Sequence, residues 1–233
     1  MKRLNGFFRY FGAKREAARN YPTPRYAKII EPFAGSAGFS VEHFIRKVDL
    51  YDISDYICGV WDFLINATPL DILHIPVIGE FEDVSDLKAS QEIKWFIGYW
   101  LQIGSNCKPA TKASKWGKQD TRGRLESRWD ERNCLRIAQQ VQYIKHWTIT
   151  KKSYREIPDE PATWFVDPPY HLSGHRYPGG KEIDYDHLAS WCRTRTGQVI
   201  VCEETGADWL PFQAVKARAG LSNKTNREVV YYQ

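Results

Sequence analysis

The chain lacks the long apolar segments of a membrane protein. Among its 233 residues, no apolar run approaches the roughly 18 residues of a membrane-spanning helix, and the mean hydropathy is -0.53. Residues 1–6 are basic but have no apolar core like that of a signal peptide. We therefore expect a cytoplasmic protein that does not contact a membrane.

Cysteine is too sparse and too scattered to define a structural framework. The five cysteines form no C-x-x-C pair and stand far apart, at Cys58, Cys107, Cys134, Cys192 and Cys202. This spacing argues against zinc and against disulfides, so we expect reduced thiols and no bound metal. The chain also has no G-x-G-x-x-G or G-x-x-x-x-G-K-[ST] motif, which argues against NAD and ATP sites.

Positive charge is concentrated in one region. Residues 105–155 contain 13 Lys and Arg against 4 Asp and Glu, a net charge of +9, whereas the whole chain carries +5 and the remainder therefore -4. This distribution indicates a polyanionic partner that binds one region, with a solvated surface loop as the alternative.

Strand-like and helical patterns alternate along the chain. Strands are predicted at residues 28–31, 48–52, 147–150, 162–166, 198–202 and 227–232, and helices at 39–47, 54–66, 85–103, 130–147 and 185–193. This alternation predicts an α/β fold with crossover connections. Residues 81–145 are too many for one crossover. We expect them to form a largely helical insertion within a domain built from residues 1–80 and 146–233, with residues 106–129 as its basic loop.

The peptide Asp167-Pro168-Pro169-Tyr170 directly follows the apolar segment 162–166. Consecutive prolines cannot donate hydrogen bonds to a sheet, so the strand must end there. A carboxylate and backbone carbonyls can accept hydrogen bonds from an amino group, and the aromatic ring can stack on a planar base. The peptide therefore predicts a pocket for the exocyclic amine of a nucleobase; the alternative is a simple turn.

A second motif, Glu31-Pro32-Phe33-Ala34-Gly35-Ser36-Ala37-Gly38, occupies the first strand-to-helix turn. Its small residues allow backbone N–H groups to approach a ligand closely. Asp52 ends the next strand about twenty residues further on, where a carboxylate can bind the ribose hydroxyls of a nucleotide-like cofactor.

These motifs resemble those of S-adenosylmethionine-dependent DNA adenine methyltransferases. Residues 31–38 resemble the family's first motif, Phe11-Gly12-Ala13-Lys14 its N-terminal glycine-lysine motif, residues 167–170 its catalytic tetrapeptide and residues 226–230 its closing strand. Their order, with a basic insertion between cofactor and catalytic motifs, is that of the Dam-like class. The resemblance implies a Rossmann-like class I methyltransferase sheet with a largely helical, inserted DNA-recognition subdomain.

The resemblance also implies a site for S-adenosylmethionine. Tyr10 and Lys14 would contact its methionine end, Asp52 would hold the ribose, and Ile53 would pack on the adenine. The other implied cofactor residues are Glu31, Pro32, Phe33, Ala34, Gly35, Ser36, Gly38, Tyr154 and Asp167. Ser153 departs from the family's pattern, which usually has an acidic residue there.

The reaction implied is methyl transfer to the 6-amino group of an adenine flipped out of double-stranded DNA. The catalytic site would consist of Asp167, Pro168, Pro169 and Tyr170, without a metal. The resemblance further suggests a monomer or weak dimer from a prokaryotic or phage-like setting. Basic residues, interleaved with Trp116 and Trp129, would contact DNA: Lys108, Lys112, Lys115, Lys118, Arg122, Arg124, Arg128 and Arg176.

Three other interpretations remain open. The same chemistry could act on adenine in RNA or on the amine of cytosine, although an Asp at the head of the tetrapeptide favours adenine within the family. A catalytically silent nucleic-acid-binding module could also retain the fold.

Residues 171–180, which are rich in Gly and Pro, predict a loop that closes over the flipped nucleotide.

Overall fold

A computed structural model describes residues 3–78, 83–102, 107–112, 129–177, 179–215 and 228–233, without the side chain of Arg176. In this part of the chain seven strands form one sheet: β1 (Lys28–Glu31), β2 (Lys47–Asp52), β3 (Thr148–Lys151), β4 (Ala162–Val166), β5 (Gly197–Glu204), β6 (Gln213–Ala214) and β7 (Glu228–Tyr232). Their spatial order is β3-β2-β1-β4-β5-β7-β6. The first five strands are parallel, and β7 runs antiparallel to both β5 and β6.

Six α-helices accompany the sheet within the described residues: α1 (Gly38–Glu42), α2 (Asp55–Asn66), α3 (Pro69–Leu73), α4 (Gln91–Leu101), α5 (Glu131–Val141) and α6 (Tyr185–Arg193). The predicted α/β fold is confirmed, and the sheet is compatible with a Rossmann-like fold. None of these helices combines the length and apolar character needed to cross a membrane.

The central strand β4 is covered on both faces. All five of its residues are buried, and successive side chains of a strand point to opposite faces. Phe165 stacks on Phe39 of α1 with ring centroids 4.2 Å apart, whereas Trp164 makes an edge contact with Trp191 of α6 at 5.5 Å. This burial on both faces explains why the strand has a continuous apolar sequence.

The helices of the predicted insertion pack onto the same core as the sheet. α2 contacts α4, and α3 contacts α5. Phe96 of α4 and Ile137 of α5 are fully buried in one apolar cluster with Ile29 of β1 and Leu50 of β2. The described helices therefore share the core of the α/β domain, and a separate recognition subdomain at residues 81–145 stays a prediction.

The first helix is shorter than predicted. The pattern predicts residues 39–47, but α1 ends at Glu42. Lys47 pairs with Lys28 and already belongs to β2, so the chain must leave the helix early to enter the sheet.

The helices on either side of the basic segment also differ from prediction. The helix predicted at residues 85–103 begins only at Gln91. Ser85 donates its backbone N–H to the Asp83 carboxylate, 2.9 Å away, and this bond closes a separate 3-10 turn. The helix predicted at residues 130–147 likewise gives way to a 3-10 turn after α5.

The strand order changes direction between β1 and β4. Starting from β1, the chain adds β2 and β3 on one side, whereas β4 and β5 lie on the other. Because β1 and β4 are parallel neighbours, with Ile30 opposite Trp164, the turns that follow them emerge at the same sheet edge. Ligands of open α/β sheets bind at such a switch point.

Gly38, the first residue of α1, lies in close contact with the backbone of the N-terminal segment. A Cβ added there would lie 2.6 Å from the backbone nitrogen of Arg15 and 2.9 Å from the carbonyl carbon of Lys14. We expect Gly38→Ala to lower the free energy of unfolding in urea by about 1–3 kcal/mol, because backbone must move to make room. Gly6→Ala is the control, since its Cβ would have no neighbour nearer than 3.7 Å. Equal stability of the two variants would contradict this close contact.

Candidate active site

The carboxyl ends of β1 to β4 surround a cavity of about 630 Å³. Every residue that the sequence analysis assigns to the cofactor or to the catalytic turn lines it: Tyr10, Lys14, Glu31, Pro32, Phe33, Ala34, Gly35, Ser36, Gly38, Asp52, Ile53, Tyr154, Asp167, Pro168, Pro169 and Tyr170. The fold thus brings the three sequence motifs together in one place.

Lys14 and Asp167 form an ion pair at the centre of this cavity. The Lys14 Nζ lies 2.9 Å from Asp167 Oδ1, and the lysine side chain is only 6% exposed. The same ammonium donates to the Gly12 carbonyl at 2.9 Å and lies 4.7 Å from the centre of the Tyr170 ring. Burial raises the pKa of Asp167 to about 6, and the Lys14 charge opposes that rise.

Tyr170 is held in place by the carboxylate of Glu228 on β7, which lies beyond β5 in the sheet. Its hydroxyl donates to Glu228 Oε1 at 3.2 Å, and the Tyr21 hydroxyl donates to Glu228 Oε2 at 2.8 Å. Tyr185 donates its hydroxyl to the Pro169 carbonyl at 2.6 Å. The sequence analysis assigned the segment around Glu228 only to the closing strand; its antiparallel pairing with β5 is what brings this side chain to the cavity.

Two adjacent glutamates at the end of β5 fix the chain that follows Tyr170. Glu203 is fully buried and accepts hydrogen bonds from the backbone N–H of His171 and, at 2.8 Å, from Trp209 Nε1. Glu204 accepts from the N–H groups of Leu172 and Ser173 through one oxygen, at 3.1 and 2.7 Å. The turn at residues 167–170 is therefore anchored on its C-terminal side, by residues for which the sequence offers no motif.

The glycine-rich turn is held by Asp52. Asp52 Oδ2 accepts from the N–H of Gly35 at 3.1 Å, and Oδ1 accepts from the N–H of Ser54 at 2.9 Å. Ser54 was expected to cap α2, but its side chain makes no capping bond. Gly35 has a φ of 44° and lies against the Tyr10 ring, so a side chain would fit neither the backbone nor the space.

Glu31 is buried beneath the same turn. It is 2% exposed, and its Oε1 accepts hydrogen bonds from the backbone N–H and the hydroxyl of Ser40 at 2.8 and 2.5 Å. Burial raises the pKa of Glu31 to about 8, although the Ser40 bonds oppose that rise. The Glu31 carboxyl is therefore largely neutral near pH 7.

Aromatic and aliphatic side chains line the end of the cavity nearest β2 and β3. Phe33 and Tyr154 lie with ring centroids 5.5 Å apart, and Ile53 is 50% exposed. The Tyr154 hydroxyl lies 2.9 Å from His187 Nδ1. Ser153, where an acid was expected, also lines the cavity and caps the short 3-10 turn at Tyr154–Glu156.

The loop after the tetrapeptide crosses to the N-terminal segment. The Tyr177 hydroxyl donates to the Phe11 carbonyl at 3.1 Å, and its ring contacts Phe11 and Tyr10. A Cβ on Gly179 would lie 2.8 Å from Ile53 Cδ1. The described part of the predicted loop thus contacts both the glycine-lysine motif and the residue that follows Asp52.

Most of the predicted DNA contacts lie outside the described residues, namely Lys115, Lys118, Arg122, Arg124, Arg128 and the side chain of Arg176. Lys108 and Lys112 are described and exposed, and Lys112 pairs with Asp83 at 3.4 Å. Trp129, which follows Arg128 in the sequence, lies in the core. It is 1% exposed and packs against Phe96 with ring centroids 4.9 Å apart.

The chain matches no protein-family model and no curated protein.

Glu31 predicts an unusual dependence of stability on pH. Its pKa rises from 4.5 in the unfolded chain to about 8 in the folded protein, so the folded protein binds a proton that the unfolded chain has lost. We expect the free energy of unfolding, relative to Glu31→Gln, to fall between about pH 4.5 and 8 by at most about 1.4 kcal/mol per pH unit, and to level off above pH 8.

Urea denaturation from pH 5 to 9 measures this difference. The exposed Glu16 gives the control variant Glu16→Gln, which should keep the slope of the unaltered protein. Parallel curves for the unaltered protein and Glu31→Gln would rule out the raised pKa.

Proposed function

We propose that the protein is an S-adenosylmethionine-dependent methyltransferase that modifies the exocyclic 6-amino group of adenine in DNA. The observation that carries this proposal is the meeting of two motifs, far apart in sequence, in one cavity. Residues 31–38 follow β1 and residues 167–170 follow β4, and the two turns lie side by side at the switch point of the sheet.

The cavity's residues fit S-adenosylmethionine. Besides the largely neutral Glu31, five acidic residues and two basic ones line it, a balance that suits a ligand with a positively charged sulfur and an amino group. Asp52 would hold the ribose hydroxyls, and Ile53 and Tyr154 would contact the adenine. When bound, this cofactor supplies a methyl group on a sulfonium, and no metal takes part in the proposed reaction.

Asp167 and Pro168 position the amine of the target base. The carboxylate and the Pro168 carbonyl would accept its two N–H groups and so hold the nitrogen with its lone pair directed away from them. Asp167 retains acceptor capacity while it pairs with Lys14, because a carboxylate has two oxygens and about four lone-pair sites. The contribution of these groups is positioning, with no covalent enzyme intermediate.

Tyr170 provides the stacking face for the base. A base inside a duplex cannot reach the cavity, so it must first rotate out of the helix. Stacking on an aromatic ring stabilises an unpaired base by about 1–3 kcal/mol. The bond from the Tyr170 hydroxyl to Glu228 fixes the ring before the base arrives.

We assign the recognition of DNA to residues 81–145, on the charge of the basic segment. Within its described part, Lys108 and Lys112 are exposed and can contact phosphates.

Substitution of Asp167 tests the reaction. We expect Asp167→Ala to reduce transfer of tritiated methyl groups to plasmid DNA by about 100-fold or more, because the amine loses its main acceptor. Binding of S-adenosylhomocysteine, measured by calorimetry, should persist. Asp186→Asn, on the exposed face of α6, is the control and should keep full activity.

Product analysis separates the possible targets. Nucleoside chromatography should show 6-methyladenine in DNA, and an equal mass of structured RNA should not compete. Methylated cytosine or preferred labelling of RNA would contradict the target, unaltered turnover in Asp167→Ala would contradict the mechanism, and a protein that binds no cofactor would contradict the enzyme.

A further inference from the structure

A second cavity, of about 650 Å³, lies beside the first and is rich in arginine. Four arginines but only one acidic residue, Glu16, are found among its described lining residues. Arg9 and Arg15 come from the N-terminal segment, and Arg132 and Arg136 come from α5. Two stretches of chain more than a hundred residues apart therefore converge to place positive charge around one concave surface.

Contacts to neutral oxygens orient three of these guanidinium groups. Arg136 donates to the Gly6 carbonyl at 3.1 Å and to Asn133 Oδ1 at 3.0 Å. Arg15 donates to Asn5 Oδ1, and Arg9 donates to the Gln102 carbonyl at 3.4 Å. These bonds set the direction of the three guanidinium groups.

An aromatic ring supports the centre of the arginine cavity. The Arg136 guanidinium lies 5.3 Å from the centre of the buried Trp100 ring. A ring behind a guanidinium restricts its rotation. Arg132 and Arg9 are exposed, so the cavity has one guanidinium held against a buried ring and two that face solvent.

The arginine cavity and the candidate active site share a wall. Tyr10, Phe11, Gly12 and Ala13 line both cavities, and Lys14, which follows them, pairs with Asp167. An anion held by the arginines is therefore separated from the methyl-transfer site by one segment of chain.

We propose that the arginine cavity binds backbone phosphate of the nucleic-acid strand whose base enters the active site; this rests on the proposed function. Guanidinium groups match phosphate oxygens through paired N–H bonds. Such contacts position a strand without reading its sequence. Two of the four arginines, Arg9 and Arg15, lie outside residues 81–145, to which DNA recognition was assigned, whereas Arg132 and Arg136 lie within them.

The salt dependence of DNA binding tests the proposal. The double variant Arg9→Gln/Arg132→Gln removes two exposed charges and leaves Arg136 on Trp100. For a fluorescent 20-base-pair duplex measured between 50 and 200 mM salt, we expect about tenfold weaker binding at the low-salt end. The slope of log K against log salt should fall by about 2, since each lost phosphate contact contributes about 0.9. The losses should be alike for duplexes of different sequence.

The matched control is Arg193→Gln, an exposed arginine at the end of α6 that lies outside both cavities. It should keep the slope of the unaltered protein. Thermal unfolding and the affinity for S-adenosylhomocysteine should be unchanged in both variants. An unchanged slope in the double variant, or the same loss in Arg193→Gln, would overturn the proposal.

Two further measurements separate this proposal from related outcomes. If the unaltered protein binds the duplex but transfers no methyl group, the proposed reaction fails while the salt slopes still decide the role of the cavity. Calorimetry with inorganic phosphate tests for a site for free phosphate. Phosphate binding that is lost in the double variant, while duplex affinity stays unchanged, would refute the strand contact.

Discussion

The parallel pairing of β1 with β4 is the constraint on which the candidate site depends. Each strand ends in a turn of unusual composition, and their shared register sets both turns at one sheet edge. A shift of one residue would turn the buried side chains of β4 to the opposite faces. Trp164 and Phe165, which pack against different helices, make such a shift costly and thereby fix the position of Asp167.

Lys14 links the electrostatics of the cavity. A buried lysine is unfavourable unless it has a partner, and here Asp167 and Glu228 both lie within 4 Å of its ammonium. Asp167 raises the pKa of Lys14 although burial lowers it. The lysine therefore remains charged and keeps Asp167 more acidic than burial alone would allow. One cation thus couples the N-terminal motif, the catalytic turn and the last strand.

The sequence predicts those parts of the site that lie in short, local motifs. The tetrapeptide and the glycine-rich turn each stand directly after a strand, so chain order and strand periodicity were enough to place them. Glu204, Glu228 and Tyr177 were not predicted as site residues, because they reach the cavity through sheet pairing and loop crossing that leave no spacing signal.

The same distinction explains the errors in the fold. Six of the seven described strands were predicted to within a few residues, and the two-residue β6 was not predicted. The helix α1 was predicted too long, because helical spacing does not reveal where Lys47 enters the sheet. Ser85 was placed in a helix although its bond to Asp83 closes a turn. The basic sequence before Trp129 gives no indication that its ring packs against Phe96. In each case a tertiary contact overrides a local preference.

The bonds to Glu228 join distant parts of the chain, with Tyr21 and Tyr170 standing 207 and 58 residues away. Contacts of such high sequence separation require large loops to close before they stabilise anything. Glu228 belongs to β7, and the two motif turns follow β1 and β4. The cavity is therefore complete only when sheet strands that stand far apart in the sequence have paired.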